Sequence, residues 1–276
     1  MTYSDVYNSS IKRLEDENIP DAKTDVGLLF DILIEKDRGF LLTHGTDDMP
    51  DDELSKIEEA IEKRTKHIPL QHITGVQDFM GLTFKVSDKV LIPRFDTECL
   101  VEEVMRECCD GAKVLDVCTG SGCIIISLTH YINDLEAYAL DISEDALLVA
   151  KENAKALGKN ITFIKSDLFS EIEEKNFDYI LSNPPYIRSE EINNLMDEVK
   201  NHDPMLALDG GDDGLDFYRR IAKDARDYLK LGGRLFFEIG FDQGESVSEI
   251  LENNGYKDIK VIKDYSSNDR VVCASR

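Results

Sequence analysis

The sequence predicts an α/β fold, a doubly wound and mostly parallel β-sheet preceded by a small helical domain. Three observations lead there. From Lys113 onward, short apolar runs of strand length alternate with helical stretches. The first 75 residues instead carry apolar residues at helical spacing. The last two strand candidates are joined by too few residues for a crossover helix, so they pair antiparallel.

The helical part comes first. "DVGLLFDILI" (25–34) reads as an apolar helical core segment, and "DDELSKIEEAIEKRTK" (51–66) sets Leu54, Ile57 and Ile61 on one face. Between them "THGTDDMP" (43–50) is loop, with Pro50 placed to start the second helix. From Phe79 the texture changes, and "FMGLTFKV" and "KVLIP" are expected as two short strands. The expected division is a helical domain over 1–75, a β-hairpin bridge over 76–95 and a sheet domain over 96–276.

The sheet's candidates are "KVLDV" (113–117), "AYALD" (137–141), "ITFIK" (161–165), "FDYIL" (177–181) and "GRLFFEIG" (233–240), followed by "IKVIKD" (259–264) and "RVVCAS" (270–275). The clearest intervening helix covers 143–157. Ser143 caps it, Ala146, Leu147, Ala150, Ala154 and Leu157 form its apolar face, and Gly158 ends it.

Composition narrows the function. At 276 residues, 42% hydrophobic and 32% charged, the chain is a globular protein of one large domain or one domain with a smaller companion. No run approaches the roughly 18 to 20 apolar residues of a membrane span, and "MTYSDVYNSSIKRLEDE" lacks the apolar core of a signal peptide. A cytoplasmic location without membrane contact is expected. None of the six cysteines forms a CxxC pair or sits with histidines at zinc-like spacing, so reduced thiols and no metal are expected. The net charge of −24 is spread along the chain and leaves no basic stripe, which argues against direct nucleic-acid binding. Such acidity suits a basic protein partner and equally serves solubility.

Chemistry gathers at the predicted strand ends. "VLDVCTGSGC" (114–123) forms the first strand-to-helix turn, where Gly120 and Gly122 let backbone approach a ligand. The dinucleotide fingerprint G-x-G-x-x-G fails at its third glycine, which is Ile125 here, so a smaller adenosyl cofactor fits better than a dinucleotide. Asp141 ends the second strand about 20 residues later, where an acid takes ribose hydroxyls. Asp167, in "KSDLF", ends the third, where its carboxylate or the adjoining backbone can meet an adenine amine. After the fourth strand comes "SNPPYI" (182–187), whose prolines fix φ and push the preceding Asn183 into extended geometry. The result is a stiff platform presenting an amide, free carbonyls and a ring.

This arrangement resembles the Rossmann-like, seven-stranded class I S-adenosylmethionine-dependent methyltransferases, and "NPPY" resembles the branch that methylates planar, resonance-stabilised nitrogens. "PLQHITG" (69–75), "VLIPRFDTE" (90–98) and "DPMLALDGGDDGLDFYRRI" (203–221) extend the resemblance, over nearly the whole chain, to the peptide-chain release factor glutamine N5-methyltransferases. That resemblance implies S-adenosylmethionine as donor, S-adenosylhomocysteine as product, and the glutamine of the Gly-Gly-Gln loop of class I release factors as acceptor. It implies cofactor contacts from Cys118, Thr119, Gly120, Ser121, Gly122, Asp141, Asp167, Leu168 and Asn183. It implies substrate contacts from Asn183, Pro184, Pro185 and Tyr186, with Asn183, Pro184 and Tyr186 catalytic. The helical domain would bind the release factor body, the 203–221 segment would flank the site, Arg94 and Glu98 would brace the pocket, and the enzyme would act as a monomer.

There are departures from the family pattern. Cys118 stands where many relatives have the first glycine of the turn, so no positive φ is expected there. Leu168 replaces a larger aromatic, Phe95 a proline and His72 an aromatic. The alternatives are a ribosomal-protein glutamine methyltransferase and a DNA or RNA adenine-N6 methyltransferase, the latter opposed by the acidity. A non-catalytic cofactor sensor is opposed by the presence of both Asn183 and Tyr186.

Overall fold

The computed structural model describes residues 1–276, which form two compact units. The first comprises Met1–Val76 with Met196–His202, and the second Gln77–Leu195 with Asp203–Arg276.

The first unit packs helices Tyr3–Asp16, Ala22–Ile34, Arg38–His44, Asp51–Arg64 and Leu70–Thr74. Local sequence sets their ends. Thr2 and Asp5 form a reciprocal capping box, and the Asp37 carboxylate accepts from Phe40 N. Pro50 caps the Asp51–Arg64 helix, whose acidic first turn and basic last turn both suit the helix dipole. The two predicted helices meet the Tyr3–Asp16 helix in a core of Val6, Leu14, Val26, Leu29, Phe30, Ile57 and Ile61, with Leu54 half-buried at its edge. The loop expected from Thr43 begins only at Gly45, because the Arg38–His44 helix runs through Thr43 and His44.

Arg64 ties this unit together. Its Nε donates to Asp25 Oδ2 and its Nη2 to Glu198 Oε1, each at 2.7 Å, and its Nη1 donates to the Ile68 carbonyl at 3.3 Å. Glu198 lies in the short helix Asp197–His202, so a segment distant in sequence joins the helical unit. Arg64→Met should destabilise the protein by about 3 kcal/mol, since removing one partner strands a buried carboxylate. Urea unfolding measures it, and a loss below about 0.5 kcal/mol, the range of a surface substitution, would show the cluster to be solvated.

In the second unit the strands are β1 (Val76–Phe79, whose first residue belongs to the helical unit), β2 (Leu82–Lys85), β3 (Lys113–Val117), β4 (Glu136–Asp141), β5 (Thr162–Lys165), β6 (Phe177–Ser182), β7 (Leu229–Glu238), β8 (Lys257–Lys263) and β9 (Asp269–Ser275). β1 and β2 form a separate hairpin, turned by Met80 and Gly81 at φ 50° and 70°. "FMGLTFKV" is therefore itself a hairpin. "KVLIP" is irregular rather than a strand, in keeping with Pro93, which has no N–H for a ladder.

The main sheet has the order β5-β4-β3-β6-β7-β9-β8. Its first five strands are parallel, and β9 runs antiparallel to both β7 and β8. The order reverses direction beside β3, with β4 and β5 on one side and β6 and β7 on the other, which opens a crevice at the strands' carboxyl ends. Register makes that crevice level: Val117 pairs with Leu140 of β4 and with Ser182 of β6. Cys118, Asp141 and Asn183 therefore all leave the sheet at one height. Helices Phe95–Met105 and Cys123–Tyr131 cover one face through Leu100, Val101, Val104, Ile124 and Ile125. Asp216–Tyr228 and Gly244–Asn253 cover the other through Tyr218, Ile221, Ala222, Val247 and Leu251.

Candidate active site

A cleft of about 350 Å³ opens at these strand ends. It is lined by Cys118, Thr119, Gly120 and Ser121 of the β3 turn, Asp141 of β4, Asp167 and Leu168 after β5, and Asn183 and Pro185 after β6. Gly122, Pro184 and Tyr186 lie outside its lining. Most of the irregular 89–94 segment, Thr97, Phe217 and Arg220 add to the wall, with Pro204, Leu206 and Ala207 of the segment after the loop.

The turn after β3 is built from left-handed residues. Cys118, Gly120 and Gly122 have φ of 63°, 55° and 81°, so the expectation for Cys118 was wrong: the turn imposes its geometry on a residue with a Cβ. Gly122 has a packing reason as well, because a Cβ there would come within 2.9 Å of Ile126 Cδ1 and 3.2 Å of Ala150 Cβ. Beneath the turn Thr119 Oγ1 donates to Asp116 Oδ2 at 2.6 Å, while Oδ1 of this fully buried carboxyl has no partner. Burial pushes Asp116 up to about 7, and the nearby Asp141 adds to this against the Thr119 hydrogen bond. Burial also raises the Cys118 thiol, which keeps it protonated.

Asp141 is held by backbone. Its Oδ2 accepts from Gly120 N and its Oδ1 from Ser143 N, both at 2.9 Å. Burial raises its pKa and these bonds oppose the rise. Asp167 differs: its Oδ1 takes Arg220 Nη2 at 2.8 Å in a half-exposed pair, so its carboxylate already has a cation partner. The adjoining Leu168 is buried, at φ 51°.

The 183–186 loop is braced from three directions. Asn183 Nδ2 donates to Thr97 Oγ1 at 3.3 Å. The Tyr186 carbonyl accepts from Gln243 Nε2 at 3.0 Å, and the same nitrogen reaches the Gly214 carbonyl at 3.3 Å. Ile187 N donates to Leu208 O and Gly210 N to Ile187 O, which lays the 203–221 segment along the loop's exit. Burial drives the Tyr186 hydroxyl upward, with Glu238 adding to it, so this phenol stays neutral.

Several contributors escaped sequence reasoning. Thr97, Phe217, Arg220, Glu238 and Gln243 reach the site or its support only through tertiary packing. Phe217 and Arg220 fall within the 203–221 segment expected to flank the site, and "EIGFDQG", a polar stretch directly after an apolar strand, was a further local signal. Arg94 lines the cleft and pairs with Asp203 at 2.7 Å. Glu98 instead accepts from Met80 N at 2.6 Å, so it braces the hairpin and not the pocket. No group of three or more His, Cys, Asp or Glu side chains is placed to hold a metal ion, and no helix is long and apolar enough to cross a membrane.

Comparison with known proteins extends this picture. A family profile described as PrmC N-terminal domain matches residues 5–75, and one described as Methyltransferase small domain matches residues 94–202. The chain is 44% identical over 258 residues to the release factor glutamine methyltransferase of Clostridium acetobutylicum, covering 91% of this chain and 90% of that protein. It is 37% identical over 281 residues to the enzyme of the same name from Moorella thermoacetica, covering 100% and 99%. Among solved structures, a methyltransferase from Pyrococcus furiosus superposes with a TM-score of 0.56 at 17% identity, over 82% of this chain and 98% of that one. That likeness shows the shared fold, a Rossmann-like methyltransferase sheet.

Proposed function

The chain belongs to the release factor glutamine methyltransferase family, and from that membership we infer that it methylates the side-chain amide nitrogen of the Gly-Gly-Gln glutamine in class I release factors. The donor is S-adenosylmethionine, and the enzyme works in the cytoplasm as a monomer. One observation carries the reading: Asn183 and Pro185 of the Asn-Pro-Pro-Tyr loop and residues 118–121 of the left-handed turn line a single cleft.

The chain's own residues fit that cofactor. A Cβ at Gly120 would meet no atom within 4 Å, so the turn is open where a ligand must approach. Each Asp141 oxygen holds one backbone N–H and keeps a second lone pair for a ribose hydroxyl. Because the Asp167 carboxylate is engaged by Arg220, the backbone at 167–168 would read the adenine, with Leu168 and Phe217 available to flank it. When bound, the cofactor supplies an electrophilic sulfonium methyl group.

The platform orients the nucleophile. An amide nitrogen is weak because its lone pair is delocalised, the resonance that gives peptide bonds a barrier of about 18–20 kcal/mol. The Asn183 side-chain oxygen and the Pro184 carbonyl each accept one N–H of the glutamine, which directs the lone pair outward. Tyr186 fixes the plane of the amide, with its own carbonyl pinned by Gln243. Positioning of this kind supplies up to about 7–11 kcal/mol of a barrier, so no strong base is needed. The helical unit anchors the body of the release factor while its flexible loop enters the cleft.

Radiolabelled S-adenosylmethionine offered with a release factor, its Gln→Ala loop variant, a ribosomal protein fraction and duplex DNA tests this reading. Label is expected on the intact release factor alone. Label on the ribosomal fraction would overturn the acceptor but keep the amide chemistry, and label on DNA would overturn both.

A further inference from the structure

We propose that Glu238 and Thr97 form a one-way hydrogen-bond relay that fixes which end of the Asn183 carboxamide faces the substrate. The inference rests on the glutamine-methylating reading and deepens it.

A carboxamide is pseudo-symmetric: turned over, it offers two N–H donors where it had an acceptor. Only the orientation with Oδ1 toward the substrate suits an incoming NH2 group. Thr97 alone does not select it, because a hydroxyl both donates and accepts. In the structure Asn183 Nδ2 donates to Thr97 Oγ1 at 3.3 Å, so the Thr97 proton must point elsewhere. The relay gives it to Glu238. Glu238 ends β7 and is 1% exposed, Thr97 is 2% exposed, and the Thr97 hydroxyl is the largest influence favouring the Glu238 charge against burial. Glu238 Oε2 meets no partner at ordinary hydrogen-bond geometry, which leaves a buried acceptor atom open to the Thr97 hydroxyl. An ionised carboxylate can only accept. It commits Thr97 to donate inward and accept from Asn183, and thereby turns Asn183 Oδ1 outward.

The surroundings support a buried charge at this position. Arg270 of β9 attracts it, and is itself paired with Asp96 at 3.0 Å and Asp264 at 3.1 Å. The Tyr186 hydroxyl also favours the ionised form, Asp96 opposes it, and Cys123 of the neighbouring helix stays a neutral thiol. From the helix on the other face, Tyr218 Oη donates to the Glu238 backbone carbonyl at 2.9 Å and leaves the carboxylate untouched. Burial raises the Glu238 pKa to about 7. The relay therefore operates above that pH and is lost as pH falls through it, when a protonated Glu238 can donate to Thr97 and reverse the chain.

Steady-state methylation of a release factor, with S-adenosylhomocysteine calorimetry and thermal melts on every variant, tests the relay. Thr97→Val and Glu238→Gln are expected to lower kcat by about ten- to a hundred-fold, the scale of one misdirected hydrogen bond in a dry site, with cofactor affinity within about three-fold. Thr97→Ser should restore most of the rate, and Glu238→Gln should abolish the acid limb of the wild-type pH profile. A folded Thr97→Val enzyme with wild-type kcat would overturn the proposal. One readout is independent of turnover: the Asn183 Nδ2 protons, resolved by 15N NMR, should lose their hydrogen-bond shift in Thr97→Val. An unchanged signal would overturn the relay even if the enzyme is active. A wild type that methylates no release factor would overturn the assigned reaction instead, and the NMR result would still decide the relay.

Discussion

Asn183→Ala is expected to lower methyl transfer by about 10²–10³-fold, the cost of deleting one preorganised partner of a transition state. Affinity for S-adenosylhomocysteine should stay within about three-fold, because Asn183 is one group among many in the wall, which includes the β3 turn, Asp141 and the 167–168 pair. The prediction separates chemistry from binding. Alanine removes the acceptor proposed for one N–H of the glutamine and leaves the stiff prolines and the Gln243 clamp on Tyr186 in place. The loop therefore keeps its path, and any lost rate reflects a nucleophile free to rotate. Single-turnover label transfer with saturating release factor measures the first quantity, and calorimetry measures the second. Near-normal turnover in a cofactor-competent Asn183→Ala protein would remove the platform from the mechanism.

How much of this site was legible in the sequence depended on whether a feature was local. The strand ends, the glycine turn, Asp141 and the Asn-Pro-Pro-Tyr stretch are each set by neighbours in the chain, through apolar runs, turn residues and the restriction that proline places on its predecessor. The seven-stranded sheet follows from their alternation. Nothing local announced that Thr97 would meet Asn183, 86 residues on, that Arg220 would take the Asp167 carboxylate, or that Gln243 would hold the Tyr186 carbonyl. Those pairings exist because the order β4-β3-β6-β7 brings distant strand ends together. The positive φ of Cys118 was hidden for a different reason. Residue type suggests conformation, but here the Thr119 N to Leu140 O bond at 2.9 Å and the Gly120 contact with Asp141 fix the turn from outside. "KVLIP" misled in the opposite sense, since apolar character placed it in the interior without making it a strand.

Asp141→Ala should weaken cofactor binding by about 1–3 kcal/mol, or roughly five- to 150-fold in Kd, as expected for loss of a buried, charge-assisted hydrogen-bond partner. Two effects combine. The ribose hydroxyls would lose their proposed acceptor, and the N–H groups of Gly120 and Ser143 lose the carboxylate that shapes the turn. Asp141→Asn separates them, because one amide oxygen can still accept while the amide nitrogen cannot serve the second N–H. The Asn variant should therefore fall between wild type and Ala. A pH test follows from the same burial. The Asp141 pKa lies above the ordinary aspartate value because it is desolvated, and hydroxyl donors favour its charged form. Wild-type affinity should then decline on acidification through the range just above that ordinary value, and the decline should be absent in Asp141→Asn. Calorimetric titration with S-adenosylhomocysteine across that range reads both effects. Unchanged affinity in Asp141→Ala would show that the ribose is held elsewhere in the cleft, and would move the search to the backbone of the 118–121 turn.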